Sequence, residues 1–171
     1  VLFVNYPAKQ SYCRMFIVAD EYSEAERAVA AMYNAYFGGS MNSIVFQEMR
    51  EKRSLAYQAS SRYVLGSEPG MKDYNFAHIA TQNDKVIEAF ETFNMLLDSM
   101  PEAQANFNLA KESTLNNLRT QRIKGQSVIS SFLNDRLYAR PSNSMQHYYT
   151  ALQGINFDNI KEFNRKKFHK A

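Results

Sequence analysis

The 171-residue chain contains no tryptophan, one cysteine, three histidines, four prolines and six glycines. Each shortage excludes something. Cys13 has no second cysteine to pair with, so no internal disulfide forms and the redox compartment stays open. Nothing near Cys13 in sequence would depress its pKa, and it reads as a core residue and not a nucleophile. His78, His147 and His169 lie too far apart for any helix to present two imidazoles three or four residues apart, so no metal site is expected from this chain alone. There is no G-x-S-x-G, and Gly38-Gly39 lacks the Gly-Lys-Ser/Thr of a phosphate loop. No apolar run approaches the roughly 18 residues that cross a bilayer, and no signal-peptide pattern is seen. A membrane partner is therefore not expected. The compartment is unknown. The net charge of +3 is mild for a nucleic-acid binder, and none is expected as a partner.

What the chain does have is the composition of a folded soluble protein, with 45% hydrophobic and 22% charged residues. Its length suits one domain, residues 1–171, with a real core. It opens inside a strand-like run, VLFVNY, and stops just past a helix, so it reads as a piece of a longer polypeptide.

Ser11–Ala19 alternates, with Tyr12, Arg14, Phe16 and Val18 on one face and Cys13, Met15 and Ile17 on the other. Both faces are largely apolar, which predicts an interior strand. Ser23 and Glu26 spell a capping box for a helix through Phe37. Strands are predicted over Ala56–Leu65 and Asp73–Gln82, joined through a turn at Glu68-Pro69-Gly70. Asn83 and Asp84 should cap a helix whose buried stripe is Val86, Ile87, Phe90, Phe93, Leu97 and Met100. Pro101 breaks it and opens the next, which carries Phe107, Ala110, Thr114, Leu115 and Leu118 inward. These two are expected to form an antiparallel hairpin on the sheet. Further helices are predicted over Ser127–Tyr138, with Val128, Phe132 and Leu133 inward, over Ser144–Leu152, and from Asp158 with Ile160 and Phe163 buried. The expected class is α+β, two layers, an antiparallel sheet with helices on one face.

The most informative stretch is Tyr36–Tyr57, YFGGSMNSIVFQEMREKRSLAY. Gly38 and Gly39 can take the positive φ that ends one helix and turns the chain. Ser40, Asn42 and Ser43 are good caps for a second helix bearing Met41, Ile44, Val45, Phe46 and Met49. That helix ends in Arg50-Glu51-Lys52-Arg53, and a strand follows. Arg50 and Tyr57 could meet near a sheet edge. Spacing alone does not make them a site, because charged helix ends and strand tyrosines are common.

The same stretch resembles the C-terminal, non-zinc-binding domain of the pitrilysin family of metallopeptidases, which includes insulin-degrading enzyme and the mitochondrial processing peptidases. Tyr36-Phe37-Gly38-Gly39, Phe46–Arg53 and Leu55-Ala56-Tyr57 carry the likeness. The family often has Gly where this chain has Ser54, with no catalytic consequence expected. The resemblance implies a processing-peptidase-like fold. It aligns the first helix with the one that bears H-x-x-E-H in the active domain. Here that helix reads Tyr33-Asn34-Ala35-Tyr36-Phe37, without His or Glu. It further implies that Arg50 and Tyr57 reach the zinc site of a partner domain, in cis or in trans. No cofactor is implied in this chain; the zinc belongs to the partner. Substrates would be unfolded peptides, and this chain alone would be inactive. Arg53 is a weaker candidate, while Glu48 and Lys52 read as solvated.

Two alternatives remain open at this point. One is a scaffold without peptidase role, like the core subunits of respiratory complexes that share the fold. The other is a basic binding module built from Arg119, Arg122, Lys124 and Arg165–Lys170, although such runs are usually solvated helix ends.

Overall fold

A computed structural model describes residues 7–66, 70–122, 125–141 and 143–168. The run VLFVNY, the centre of the Glu68-Pro69-Gly70 turn, Lys124 and His169 lie outside the described residues. Strand β1 spans Gln10–Glu21, β2 Gln58–Val64 and β3 Lys72–Gln82. They form an antiparallel sheet in the order β1-β3-β2. The predicted pairing of the second and third strands is present, with Gln58 opposite Ala80 and Val64 opposite Tyr74. The class is α+β, as the pattern implied.

The helices are α1 (Arg27–Phe37), α2 (Ile44–Phe46), α3 (Val86–Ser99), α4 (Gln104–Thr120), α5 (Val128–Leu137), α6 (Ser144–Gly154) and α7 (Phe157–Phe168). Helix α1 packs against α4, α6, α7 and β2, and α3 packs against β3 and α7. The expected α3–α4 hairpin is therefore not the organising unit, because each helix has its main contacts elsewhere. Without tryptophan, the core is filled by phenylalanine and tyrosine. Tyr33 stacks on Phe37 at 5.2 Å and lies 5.5 Å from Phe163 and 5.6 Å from Phe168. Tyr63 meets Phe163 edge-on at 4.9 Å. Offset and edge contacts of this kind are the favoured ring geometries. Two of the three phenols have partners: Tyr63 donates to the buried Asp73 at 2.9 Å, and Tyr36 accepts from the Ala103 N–H at 2.9 Å while donating to the Pro101 carbonyl.

Several expectations are corrected. Among the described residues β1 is an edge strand, not an interior one. Its Tyr12, Phe16 and Val18 are exposed, because no described element covers that face of the sheet. His78 stands on the same face, stacked on Tyr12 at 6.2 Å. Helix α5 shows Val128, Phe132 and Leu133 to solvent, and Ile87 of α3 is exposed, with Ala89 and Leu96 taking the buried stripe. The predicted caps make no cap hydrogen bonds, and Glu26 and Asn83 are held by partners from distant segments instead. Asn83 accepts from Ser11 at 2.8 Å and donates to the Ala8 carbonyl at 2.7 Å. Ser43, a cap candidate for α2, donates instead to the Ser40 carbonyl at 2.6 Å.

The Glu26 carboxylate is held by Lys166 and Lys167, both at 2.7 Å. Burial pushes its pKa up, but the two ammonium groups outweigh that and leave it below the ordinary value. The Lys167 side chain is only 2% exposed. This takes Lys167 out of the proposed basic module, while Lys166 stays exposed.

The free edge of β2 is sealed. Asn34 accepts from the Tyr63 N–H at 2.7 Å and donates to the Tyr63 carbonyl at 2.8 Å, while the Ser61 N–H donates to the Gly38 carbonyl at 3.2 Å. An open strand edge invites unwanted pairing, and α1 with its turn closes this one.

Candidate functional site at the helix–strand corner

Tyr36 and Phe37 anchor the end of α1 in the core, and the glycine turn carries the chain across β2. Neither Gly38 nor Gly39 uses positive φ; Gly38 has φ −143°. The requirement at Gly38 is space, because the chain crosses the Ser61 backbone there. Ile44, Val45 and Met49 then pin the next segment to the core. It was expected as a regular helix. Instead α2 gives way to a π-helical turn over Gln47–Lys52. Such turns are rare and concentrate at functional sites. Ser54 leaves the turn at φ 49°, in the left-handed region, and the Leu55 N–H donates back to the Met49 carbonyl at 2.8 Å.

The following residues are fastened to the end of β3. Thr81 donates to the Leu55 carbonyl at 2.6 Å, the Tyr57 N–H donates to the Ala80 carbonyl at 2.8 Å, and Lys85 donates to the Ser54 carbonyl at 3.3 Å. Leu55 and Ala56 are buried, whereas Tyr57 projects outward, 66% exposed. The Arg50 side chain is 44% exposed. Its guanidinium carbon lies 5.7 Å from the Tyr57 ring centroid and 4.9 Å from that of Phe46. Arg50 and Tyr57 therefore meet at one outward-facing corner.

Arg53 and Lys52 have other engagements. Both contact Glu48, at 3.9 and 2.5 Å, and the Glu48 side chain is mostly buried and not solvated as expected. The spacing argument missed Phe46 as a partner of Arg50. Its signal was present, since residues four apart share a helix face. Lys85 and Thr81 were also missed, and no local pattern links them to Ser54 and Leu55.

No group of three or more His, Cys, Asp or Glu able to hold a metal exists among the described residues. The end of α1 does not fit zinc. Tyr33, Tyr36 and Phe37 are packed in the aromatic core, and Asn34 is spent on β2. Nor is any described helix long and apolar enough to cross a membrane.

Fold and corner together define an α+β domain that presents a cation and a phenol outward. Residues 2–114 match the family described as the peptidase M16 inactive domain, and the chain belongs to that family. No curated protein matches it. Among solved structures, it is similar to a peptidase M16 inactive domain from Pseudomonas fluorescens, with 15% identity and a TM-score of 0.76 over 95% of this chain. It spans 39% of that chain, about two fifths of its length. It is also similar to the periplasmic protease PqqL of Escherichia coli, with 14% identity and TM-score 0.69, over 96% of this chain and 18% of that one. A chain of Complex III2 from Candida albicans has 15% identity and TM-score 0.61, over 95% of this chain and 41% of that one.

Proposed function

We propose that residues 1–171 form a single C-terminal-type domain, the non-catalytic half of a zinc-dependent peptidase. It completes the site of a zinc-binding domain with Arg50 and Tyr57 and helps enclose unfolded peptides. The observation that carries this reading is the corner itself: Arg50 and Tyr57 lie 5.7 Å apart, exposed, on a segment fixed to the core and to β3. A peptide carbonyl under attack gains negative charge on its oxygen, and a phenol O–H aimed at that oxygen stabilises the transition state. A guanidinium offers a planar fork to a substrate carbonyl or carboxylate. The metal chemistry belongs to the partner domain.

The test is Tyr57→Phe in the peptidase that joins this chain to its zinc-binding half. Loss of one oxyanion donor should lower kcat by about 10²–10³ with KM little changed. The melting temperature should hold, because the phenol is exposed. Unchanged turnover removes Tyr57 from the mechanism. It would favour the second reading, a structural subunit without peptidase role, which the likeness to a Complex III2 chain supports.

A further inference from the structure

Arg50 has a long, half-exposed side chain, and holding such a chain in one place costs rotamer freedom. Its nearest carboxylate is that of Glu51, at 3.7 Å, beyond hydrogen-bond distance and itself exposed. Pairs of that kind contribute little in water. The closer partner is an aromatic ring. Phe46 lies 4.9 Å from the guanidinium carbon, nearer than Tyr57 at 5.7 Å. Phe46 is half-buried on the segment that Ile44, Val45 and Met49 fix to the core, so its ring is anchored where Arg50 is not. Residues 46 and 50 are four apart, a spacing that puts both side chains on one side of a helical segment. A guanidinium held over a ring keeps its in-plane N–H fork free for a ligand.

We infer that Phe46 is a positioning residue, which holds Arg50 over its ring with the N–H fork open to the peptide substrate. The inference rests on the reading of Arg50 given above and adds to it the group that orients the arginine. Phe46 acts through Arg50.

The experiment is a double-mutant cycle in the peptidase that contains this chain and its zinc-binding half, assayed on a fluorogenic peptide. Phe46→Leu keeps apolar bulk and removes the ring. It should raise KM about two- to fivefold, the size of an exposed cation–π contact, and leave kcat nearly unchanged. Phe46→Tyr restores a ring and should recover KM. In an Arg50→Ala background, Phe46→Leu should have no further effect on KM. Melting curves of each variant separate loss of folding from loss of orientation. Equal KM increases with and without Arg50 would overturn the inference, since Phe46 would then act independently. So would an unchanged KM in folded Phe46→Leu beside a damaging Arg50→Ala, and this outcome leaves the proposed role of Arg50 standing. A silent Arg50→Ala would bring down both.

Discussion

Replacing Gly38 with alanine tests the seam between α1 and β2 on which the corner is built. A Cβ at residue 38 would stand 2.3 Å from the Ser61 carbonyl oxygen and 2.6 Å from both the Ser61 nitrogen and Cβ. Ordinary contact begins near 3.4 Å, so one backbone must retreat by about 1 Å in a close-packed interior. Strand β2 has little room to give. It is paired to β3 on one side and clamped by Asn34 on the other, and Ser61 itself is 2% exposed. Overpacking of this kind costs roughly 1–3 kcal/mol. Separation also breaks the bond from the Ser61 N–H to the Gly38 carbonyl and strands a buried donor, for roughly another 1–3 kcal/mol. The sum is about 2–6 kcal/mol, a large share of the roughly 5–15 kcal/mol that holds a typical domain. For a chain of this size the melting temperature should fall by roughly 5–20 °C. Thermal unfolding followed by circular dichroism reads it directly. Gly154→Ala is the control: a Cβ there meets nothing within 4 Å, and the residue ends α6, so stability should hold or rise slightly. A Gly38→Ala protein that melts within about 3 °C of the parent would refute the steric account.

Tyr33 is 1% exposed, and its hydroxyl has no hydrogen-bond partner among the described residues. Tyr33→Phe should therefore raise stability by about 1 kcal/mol in urea denaturation, whereas a loss would point to a partner for that hydroxyl. Ser54 sits at φ 49°, which costs a residue with a Cβ about 1–2 kcal/mol relative to glycine, partly offset by the chain entropy glycine loses on folding. Ser54→Gly should stabilise by about 0.5–1 kcal/mol in the same assay, and destabilisation would contradict the strain. Tyr22 is pushed up to about 12, by burial first and then by its hydrogen bond to Glu24. Its folded value exceeds the unfolded one near 10, so its contribution is complete below about pH 10 and lost as pH rises toward 12. Stability should decline across that window, and Tyr22→Phe should shallow the decline; an identical slope would exclude Tyr22 as a cause.

Element order and most boundaries were legible because periodicity is a local property. Phe93, Leu97 and Met100 fall on one side of α3 whatever surrounds them. What a face meets is not local. The alternation of β1 correctly separates Tyr12, Phe16 and Val18 from Cys13, Met15 and Ile17, yet the first set is exposed because no described element lies over it. Helix α5 repeats the lesson with Val128, Phe132 and Leu133. The caps failed for a related reason. Glu26 and Asn83 have short-range partners available, but Lys166, Lys167 and Ser11 come from distant segments and outcompete them. Spacing allowed Arg50 and Tyr57 to meet near a sheet edge, but only family likeness singled them out as a pair, and no local pattern announced the π-helical turn that carries Arg50.

The missing zinc motif and the sealed β2 edge have one physical cause. A helix that offers metal ligands must leave imidazole and carboxylate groups open to a cleft, since a buried unpaired charge is prohibitively costly. The end of α1 does the opposite. Tyr33, Tyr36 and Phe37 fill the aromatic core, and Asn34, between them, spends both its donor and its acceptor on Tyr63 of β2. One helix end cannot serve both purposes. With α1 committed to packing, the outward chemistry of this domain falls to the next turn of chain, where Phe46, Arg50 and Tyr57 stand on backbone that Met49, Leu55 and Thr81 hold in place. A helix end packed in this way leaves no side chain open to a metal, and what stands outward beside it is the corner of Arg50 and Tyr57.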